Sequence, residues 1–230
     1  IDPVKVSDLQ LTDKTGQQQT LGYRKEMMAW STRMLPEIAI DQSEMVFVGY
    51  GIVAPEYQWD DYAGLDVKGK TVVMLVNDPG FATKDPALFT GNAMTYYGRW
   101  TYKYEEAARQ GAVMALIVHE TDAASYGWNV VAGTSPIRFE LANDNNNMHR
   151  TAAEGWITTE TAEQLFAGVG SNLAQMRQKA LSRDFKAIPL EKTASLSIKN
   201  NLRKLNSSNV IGYIPGSKYP DEAVLYMAHW

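Results

Sequence analysis

Few side chains in this sequence are of the kinds that carry out chemistry at an active site. The 230 residues contain no cysteine, which excludes a cysteine nucleophile, a thiolate metal site and a disulfide framework. The imidazoles belong to His119, His149 and His229, and three scattered histidines are too few for a metal site built from histidine alone. His119 ends an apolar run, where a strand cap is favoured over a ligand, and His149 is interpreted as solvated.

Two adjacent carboxylates, Asp60 and Asp61, could offer oxygen ligands to a cation. Their aromatic neighbours, Trp59 and Tyr62, favour instead a surface loop or a helix N-terminal turn. We therefore expect a turn or a short helix at residues 59–63.

No self-sufficient catalytic signature occurs in the sequence. It has no Gly-x-Ser-x-Gly elbow, no His-Glu-x-x-His pair, no phosphate-binding loop and no dinucleotide fingerprint. Residues 168–171 (GVGS) are like a fragment of such a fingerprint, but they lie between two predicted helices, which favours a helix break. Residues 206–208 form a glycosylation sequon of a kind that is common by chance.

The most unusual local composition is the run at residues 96–104 (YYGRWTYKY), where five of nine residues are Tyr or Trp. Aromatic side chains and arginine are the types that binding pockets use. Tyr97, Arg99 and Trp100 are therefore candidates to face a substrate. A loop that packs against a neighbouring domain would have the same composition, and both interpretations stay open.

Charge and hydropathy exclude two classes of partner. The net charge is −4, from 22 Lys and Arg against 26 Asp and Glu, so general affinity for nucleic acid is not expected. The longest apolar runs, at residues 71–76 and 112–118, are far shorter than the roughly 20 residues that span a bilayer. No transmembrane helix is predicted.

The clearest elements form one supersecondary unit. Residues 70–77 are a continuous apolar run of strand length, residues 98–110 have helical periodicity, and residues 112–118 are a second apolar run. Gly111 stands where a helix C-cap glycine is expected. Apolar runs of this kind are buried on both faces, so we predict two parallel strands joined by a helical crossover, in an α/β fold with a mixed α+β arrangement as the alternative.

The remaining elements are predicted from shorter patterns. Residues 125–150 are expected to be loop, and a helix is expected to begin with Ser171 as its N-cap. The other predicted elements are strands at residues 45–52, 156–158, 195–199, 209–214 and 223–228 and a helix at 159–167.

A family resemblance is carried by several long motifs. They are residues 46–57 (VFVGYGIVAPEY), 59–62 (WDDY), 66–73 (DVKGKTVV), 77–81 (NDPGF), 94–105 (MTYYGRWTYKYE) and 107–112 (AARQGA). These resemble the protease-associated (PA) domain of bacterial exported zinc aminopeptidases, in the two-zinc family that includes aminopeptidase Y, glutamate carboxypeptidase and the non-catalytic transferrin receptor. The resemblance covers most of the chain from residue 45 onward.

The resemblance implies a domain organisation. Residues 44–200 would be the PA domain, a β-sheet core with flanking helices inserted into a peptidase domain. Residues 1–43 would be a leading segment of that peptidase domain, and residues 201–230 (including NVIGYIPG and VLYMAHW) a truncated return into it.

The resemblance also implies a chemistry that lies mostly outside this chain. His229 resembles the first zinc-ligand histidine of the family, whose other ligands and general base come later. The chain as given is therefore expected to contain no catalytic residue, to need no zinc and to be inactive by itself. The longer protein would be a zinc aminopeptidase that acts on peptides, exported to the periplasm or beyond.

Three functions remain under consideration. The first is a lid, gate or interaction module of such an aminopeptidase, in contact with the rest of the peptidase domain. The second is a non-catalytic protein-interaction scaffold like the receptor members of the family. The third, a small solute-binding domain, is favoured only by the parallel strand pair. An Asp after residue 230, followed later by paired Glu and further His and Asp, would distinguish the enzyme from the scaffold.

Overall fold

The structure, a computed structural model, describes residues 1–228. The strands are β1 (Asp2–Val6), β2 (Leu9–Asp13), β3 (Gln18–Leu21), β4 (Met27–Trp30), β5 (Glu37–Phe47), β6 (Val53–Ala54), β7 (Trp59–Asp60), β8 (Thr71–Leu75), β9 (Met114–Val118), β10 (Ala153–Ile157) and β11 (Ile188–Asn201). The helices are α1 (Pro79–Thr83), α2 (Trp100–Arg109), α3 (Thr121–Ala124), α4 (Trp128–Gly133), α5 (Thr159–Ala167) and α6 (Leu173–Ala180). Short 3-10 turns cover Pro55–Tyr57 and Tyr96–Gly98.

One mixed sheet of nine strands organises the chain, and this confirms the α/β class. Its order is β3-β2-β11-β5-β8-β9-β10-β4, and β1 pairs with the free part of β11. The four central strands β5, β8, β9 and β10 are parallel, whereas the flanking strands are antiparallel. The two short strands β6 and β7 pair separately.

The predicted strand-helix-strand unit is confirmed. Strands β8 and β9 pair in parallel, from Thr71 opposite Met114 to Leu75 opposite Val118. Helix α2 connects them and ends just before Gly111, whose φ of +86° is a left-handed conformation that glycine adopts without steric cost.

Both faces of the parallel strands are covered, which is why their sequences are apolar without alternation. On one face, Val72 and Met74 of β8 pack in a cluster with Tyr104 of α2. On the other face, Val73 and Leu75 belong to the cluster that also contains residues of α5 and α6. Burial of this apolar surface stabilises the fold by about 25 cal/mol for each Å² removed from water.

The leading segment takes part in the same sheet. Residues 1–43 contribute β1 to β4 and part of β5, and β5 pairs with both β11 and β8. The expected boundary between residues 43 and 44 thus falls inside a continuous strand. That residues 1–43 belong to a peptidase domain in a longer protein stays a prediction.

The turn that was one of the two alternatives expected at residues 59–63 is present at residues 61–64. No helix forms there, because Trp59 and Asp60 pair with β6 and the buried Asp61 side chain accepts backbone N–H groups from residues 50 and 52. Two other local expectations were wrong. The segment 125–150 contains helix α4. The N-cap of α6 is Asn172 and not Ser171, since the Asn172 side chain accepts from the Gln175 N–H at 2.9 Å.

The strands expected at residues 209–214 and 223–228 are also wrong. Residues 202–228 are irregular and exposed throughout. A strand exists only where a neighbour accepts and donates its backbone hydrogen bonds, and within the described residues no strand lies beside this segment. Within residues 1–228, no helix is long and apolar enough to cross a bilayer.

Candidate functional site

The carboxyl ends of the parallel strands form one small pocket. Tyr50 follows β5, Asp78 follows β8 and Glu120 follows β9, and Arg177 of α6 reaches across to form an ion pair with Glu120. The pocket has a volume of about 230 Å³ and Phe81 lines one side of it. Ligands of parallel α/β sheets bind at this edge, so we call it the edge pocket.

The carboxylate of Asp78, which lines the edge pocket, forms hydrogen bonds that stabilise the fold. Asp78 is fully buried. One oxygen caps α1 by accepting the Gly80 N–H at 3.1 Å, and the other accepts the N–H and the hydroxyl of Thr95 at 3.0 and 2.7 Å. These bonds tie the long loop after β8 to the sheet. Asp78 therefore has no oxygen without a protein partner to offer to a ligand.

A buried pair of charged residues lies behind this edge. The Asp61 carboxylate accepts the N–H groups of Tyr50 and Ile52 at 3.1 and 3.0 Å and the indole N–H of Trp59 at 2.9 Å. The Lys103 ammonium is fully buried and donates to the Tyr50 carbonyl at 2.5 Å. The two side chains thus hold residues 50–52 from both sides.

Burial changes the protonation of both groups. It raises the pKa of the Asp61 carboxyl to about 7, against the opposing effect of its hydrogen bonds and of Lys103. It lowers the pKa of the Lys103 ammonium to about 7, against the attraction of Asp61 and Asp78. Both side chains are enclosed by protein, so we assign them a structural role.

The structure separates Tyr97 from Trp100, two of the three residues predicted to face a substrate. Tyr97 is half-buried against Phe89 and Tyr102, and its hydroxyl donates to Glu56 at 2.6 Å, which raises the pKa of Tyr97 to about 12. Arg99 is exposed.

Trp100, the third of these residues, belongs to a different surface. It begins α2, and 44% of its surface is exposed. It packs edge-on against Trp30, with ring centroids 6.4 Å apart. The contacts of Tyr97 and Trp100 therefore place the two side chains in different aromatic clusters.

Trp100 forms one wall of what we call the aromatic cleft. This cavity of about 320 Å³ lies between β4, β10 and α4 and is lined by aromatic rings, valines and one guanidinium, namely Trp30, Trp100, Tyr126, Val130, Val131, Thr134, Arg138 and Trp156. Strand pairing creates it, because β4 runs antiparallel to β10 and both Trp30 and Trp156 point to the face that α2 covers.

The other candidate residues do not assemble into a site. His119 is buried among the rings of Tyr126, Trp128 and Trp156, and this burial lowers its pKa. The ring is thus enclosed by other rings at the end of β9.

The remaining ligand candidates point in different directions or lie outside the described part. Asp60 is exposed whereas Asp61 is buried, so the pair does not converge on a cation. His149 is exposed, as predicted. His229 lies outside the described residues. In residues 1–228 no three His, Asp or Glu side chains come together as a metal site.

Sequence reasoning missed Lys103 and the residues that complete the cleft. Lys103 lies four positions before the buried Ala107, so helical periodicity places the two on one face. No local pattern relates Trp30 or Arg138 to Trp100, because they are far apart in sequence and meet only through the sheet.

Comparison with known proteins gives distant similarity to solved structures. No protein-family model matches the chain, and no curated protein sequence matches it. Among solved structures, the chain is similar to the aminopeptidase from Aneurinibacillus sp. strain AM-1, with 17% sequence identity and a TM-score of 0.39, over 86% of this chain and 31% of that one. The chain thus spans about a third of that protein's length. A similarity this distant does not assign this chain to a family.

Proposed function

We propose that this chain is the non-catalytic PA-type module of a longer zinc aminopeptidase, where it forms a wall or lid beside the active site and contacts the peptidase domain. The long motifs described above support the family. Among structural observations, the exposed apolar segment near the C-terminal end of the described chain carries the proposal.

This segment has the side chains of a buried strand in a fully solvated position. Val210, Ile211 and Ile214 are 90–95% exposed, and Leu225 and Tyr226 are 76% and 91% exposed. Exposed apolar surface of this kind marks an interaction site. Pairing with a sheet of another domain would bury these side chains and satisfy their backbone groups.

Arg99 and Trp100 give the module a surface for a second contact. Both are exposed at the start of α2, and Trp100 also lines the aromatic cleft. A guanidinium next to an indole ring can contact a peptide or a neighbouring domain. Tyr97 packs instead against Phe89 and Tyr102.

Zinc, if the longer protein binds it, would be held by residues outside the described part of this chain. The donors present do not fit a two-zinc site, since His119 is enclosed by aromatic rings and His149 stands alone on the surface. His229 would be the one ligand that this chain contributes. Such a protein would act on peptides and, by the resemblance, would be exported.

The first test is the coding sequence that follows residue 230. An Asp directly after Trp230, followed by paired Glu and further His and Asp residues, supports the aminopeptidase. Other residue types at these positions would refute the aminopeptidase assignment and would favour the interaction scaffold. The expressed longer protein should then hydrolyse an aminoacyl anilide in a zinc-dependent manner.

The second test concerns the role of the module. In the longer enzyme, the double variant Arg99→Ala, Trp100→Ala should raise KM or lower kcat several-fold, because a wall that touches substrate or the peptidase domain is lost. Lys14→Ala, exposed on the distant β2–β3 hairpin, is the matched control. Unchanged kinetics together with unchanged stability of the double variant would refute this role.

A further inference from the structure

We propose that the aromatic cleft binds a small aromatic carboxylate, with the ring against the exposed side of Trp100 and the carboxylate on Arg138. This proposal does not depend on the aminopeptidase assignment. It rests on the arrangement of the aromatic rings, on the hydrogen bonds and ion pairs that Arg138 makes and does not make within residues 1–228, and on the size of the cavity.

The rings around the cleft pack against one another and leave the Trp100 ring accessible. Trp30 meets Trp100 at 87° and Tyr104 at 88°, with centroids 6.4 and 5.8 Å apart. Edge-to-face packing of this kind is the favoured geometry for aromatic pairs. Because Trp100 is partly exposed, the array is open to solvent on one side, where a ligand ring can enter.

The walls are fixed before any ligand binds. The Trp30 indole N–H donates to Glu154 at 3.1 Å, and Glu154 is in turn held by Thr32 and Arg150 at 3.2 and 3.0 Å. Trp156 is buried in β10. A preformed site loses little conformational entropy on binding, and this favours affinity for a small ligand.

Arg138 supplies a positive charge that forms no ion pair with any of residues 1–228. Its guanidinium carbon lies 4.3 Å from the centroid of the Trp30 ring, and Nη1 donates to the carbonyls of Ser135 and Ile137 at 2.7 and 3.2 Å. Its Nε and Nη2 make no hydrogen bond to any of residues 1–228. The guanidinium thus offers a free two-nitrogen edge.

The acids around Arg138 do not neutralise it. Glu154 and Glu140 attract it electrostatically, but within the described chain no carboxylate lies within 4 Å of its nitrogens, and Glu154 is already engaged by Arg150. Arg138 is half-buried, and burial lowers its pKa. A partly desolvated cation without a counter-ion favours an anionic ligand, and a carboxylate fits a guanidinium edge with two hydrogen bonds.

The cavity volume limits the ligand. About 320 Å³ lies at the lower end of the range for ligand pockets, roughly 300–1,000 Å³. It suits a single ring with a short acidic arm. Nucleotides are disfavoured because they are larger and because only one cation lines the cavity.

Phenylacetate is the probe, titrated into the 230-residue chain by calorimetry and by tryptophan fluorescence. We expect saturable binding at millimolar or lower concentration. Phenethyl alcohol, which has the same ring without the charge, and cyclohexylacetate, which has the charge without the aromatic ring, should each bind about tenfold more weakly or worse. Equal affinity for all three compounds, or no binding of phenylacetate at millimolar concentration, overturns the proposal.

Variants locate the bound probe. Arg138→Gln should weaken phenylacetate binding about tenfold or more, whereas Arg138→Lys, which keeps the charge, should retain more of it. Trp100→Ala should weaken binding several-fold. Circular dichroism confirms that each variant is folded.

Matched controls separate the cleft from the rest of the surface. Arg183→Gln and Tyr96→Ala change an exposed arginine and an exposed aromatic residue outside the cleft, and both should bind as the unmodified chain does. Binding that is unaffected by Arg138→Gln and Trp100→Ala would place the probe elsewhere and would overturn the proposal. Neither result bears on the aminopeptidase assignment, which is tested on the longer protein.

Discussion

The substitution Lys103→Met should make the stability of this protein less dependent on pH above neutrality. Lys103 is fully buried, donates one hydrogen bond to the Tyr50 carbonyl at 2.5 Å, and has a pKa lowered by burial from 10.5 to about 7. Methionine has a similar length and no charge, so it fills the same space without desolvating an ammonium group.

The sign follows from proton binding in the two states. Between about pH 7 and pH 10.5, the unfolded chain holds a proton on Lys103 that the folded chain has released. The free energy of unfolding of the unmodified protein therefore rises as the pH rises through this window, and it is lowest near pH 7. Integration with these two pKa values gives a gain of about 2 kcal/mol between pH 7 and pH 9.

The variant lacks this titration but also lacks a hydrogen bond. Leaving the Tyr50 carbonyl without its donor costs about 1–3 kcal/mol, whereas removing the burial of the ammonium gains about 4 kcal/mol at pH 7. Lys103→Met also removes the positive charge that lowers the pKa of the buried Asp61 carboxyl, so the pH dependence, and not the absolute stability at pH 7, tests the assignment. Between pH 7 and pH 9, the stability of the variant relative to the unmodified protein should fall by about 2 kcal/mol.

Urea unfolding at pH 7 and pH 9, followed by circular dichroism, measures this change. Lys179→Met, at an exposed position of α6, is the control and should keep the pH dependence of the unmodified protein. If the difference between Lys103→Met and the unmodified protein is the same at both pH values within about 0.5 kcal/mol, the assignment of Lys103 as a buried, readily deprotonated group is wrong.

Two further predictions test packing and helix capping. Gly155→Ala should destabilise the fold by about 3 kcal/mol or more, because a Cβ there would lie 2.2 Å from the Met28 carbonyl oxygen and would force β10 away from β4. Gly133→Ala, where a Cβ meets nothing within 4 Å, is its control in thermal unfolding, and equal melting temperatures for the two variants would contradict the strand pairing. Asn172→Ala should cost about 1 kcal/mol as the N-cap of α6 and Ser171→Ala clearly less, so the reverse order in urea unfolding would restore Ser171 as the cap.

The parallel core was predictable because its signal is local. Residues 72–75 and 114–118 are apolar at every position, and this pattern indicates burial on both faces without reference to any distant residue. The helix between them was readable from its periodicity and from Gly111. These features depend on the spacing of apolar residues within one strand or helix, and a short stretch of sequence is enough to show that spacing.

The strands expected at residues 209–214 and 223–228 show that a local sequence pattern is not sufficient to predict a strand. Their composition is that of strands, yet the structure leaves them exposed and unpaired within residues 1–228. A helix satisfies its own backbone hydrogen bonds, but a strand needs a partner from elsewhere. The sequence of a strand therefore predicts its tendency to pair and not whether a partner is present.

The sequence by itself determined the class of the fold, the position of the parallel core and the absence of cysteine chemistry. Only the tertiary structure decided which chemistry-bearing residues meet. Asp60 and Asp61 are neighbours in sequence but face solvent and core respectively, whereas Trp30 and Arg138 are far apart in sequence and lie in contact. The reason is that side-chain neighbours are set by strand order and register, which depend on the whole sheet at once.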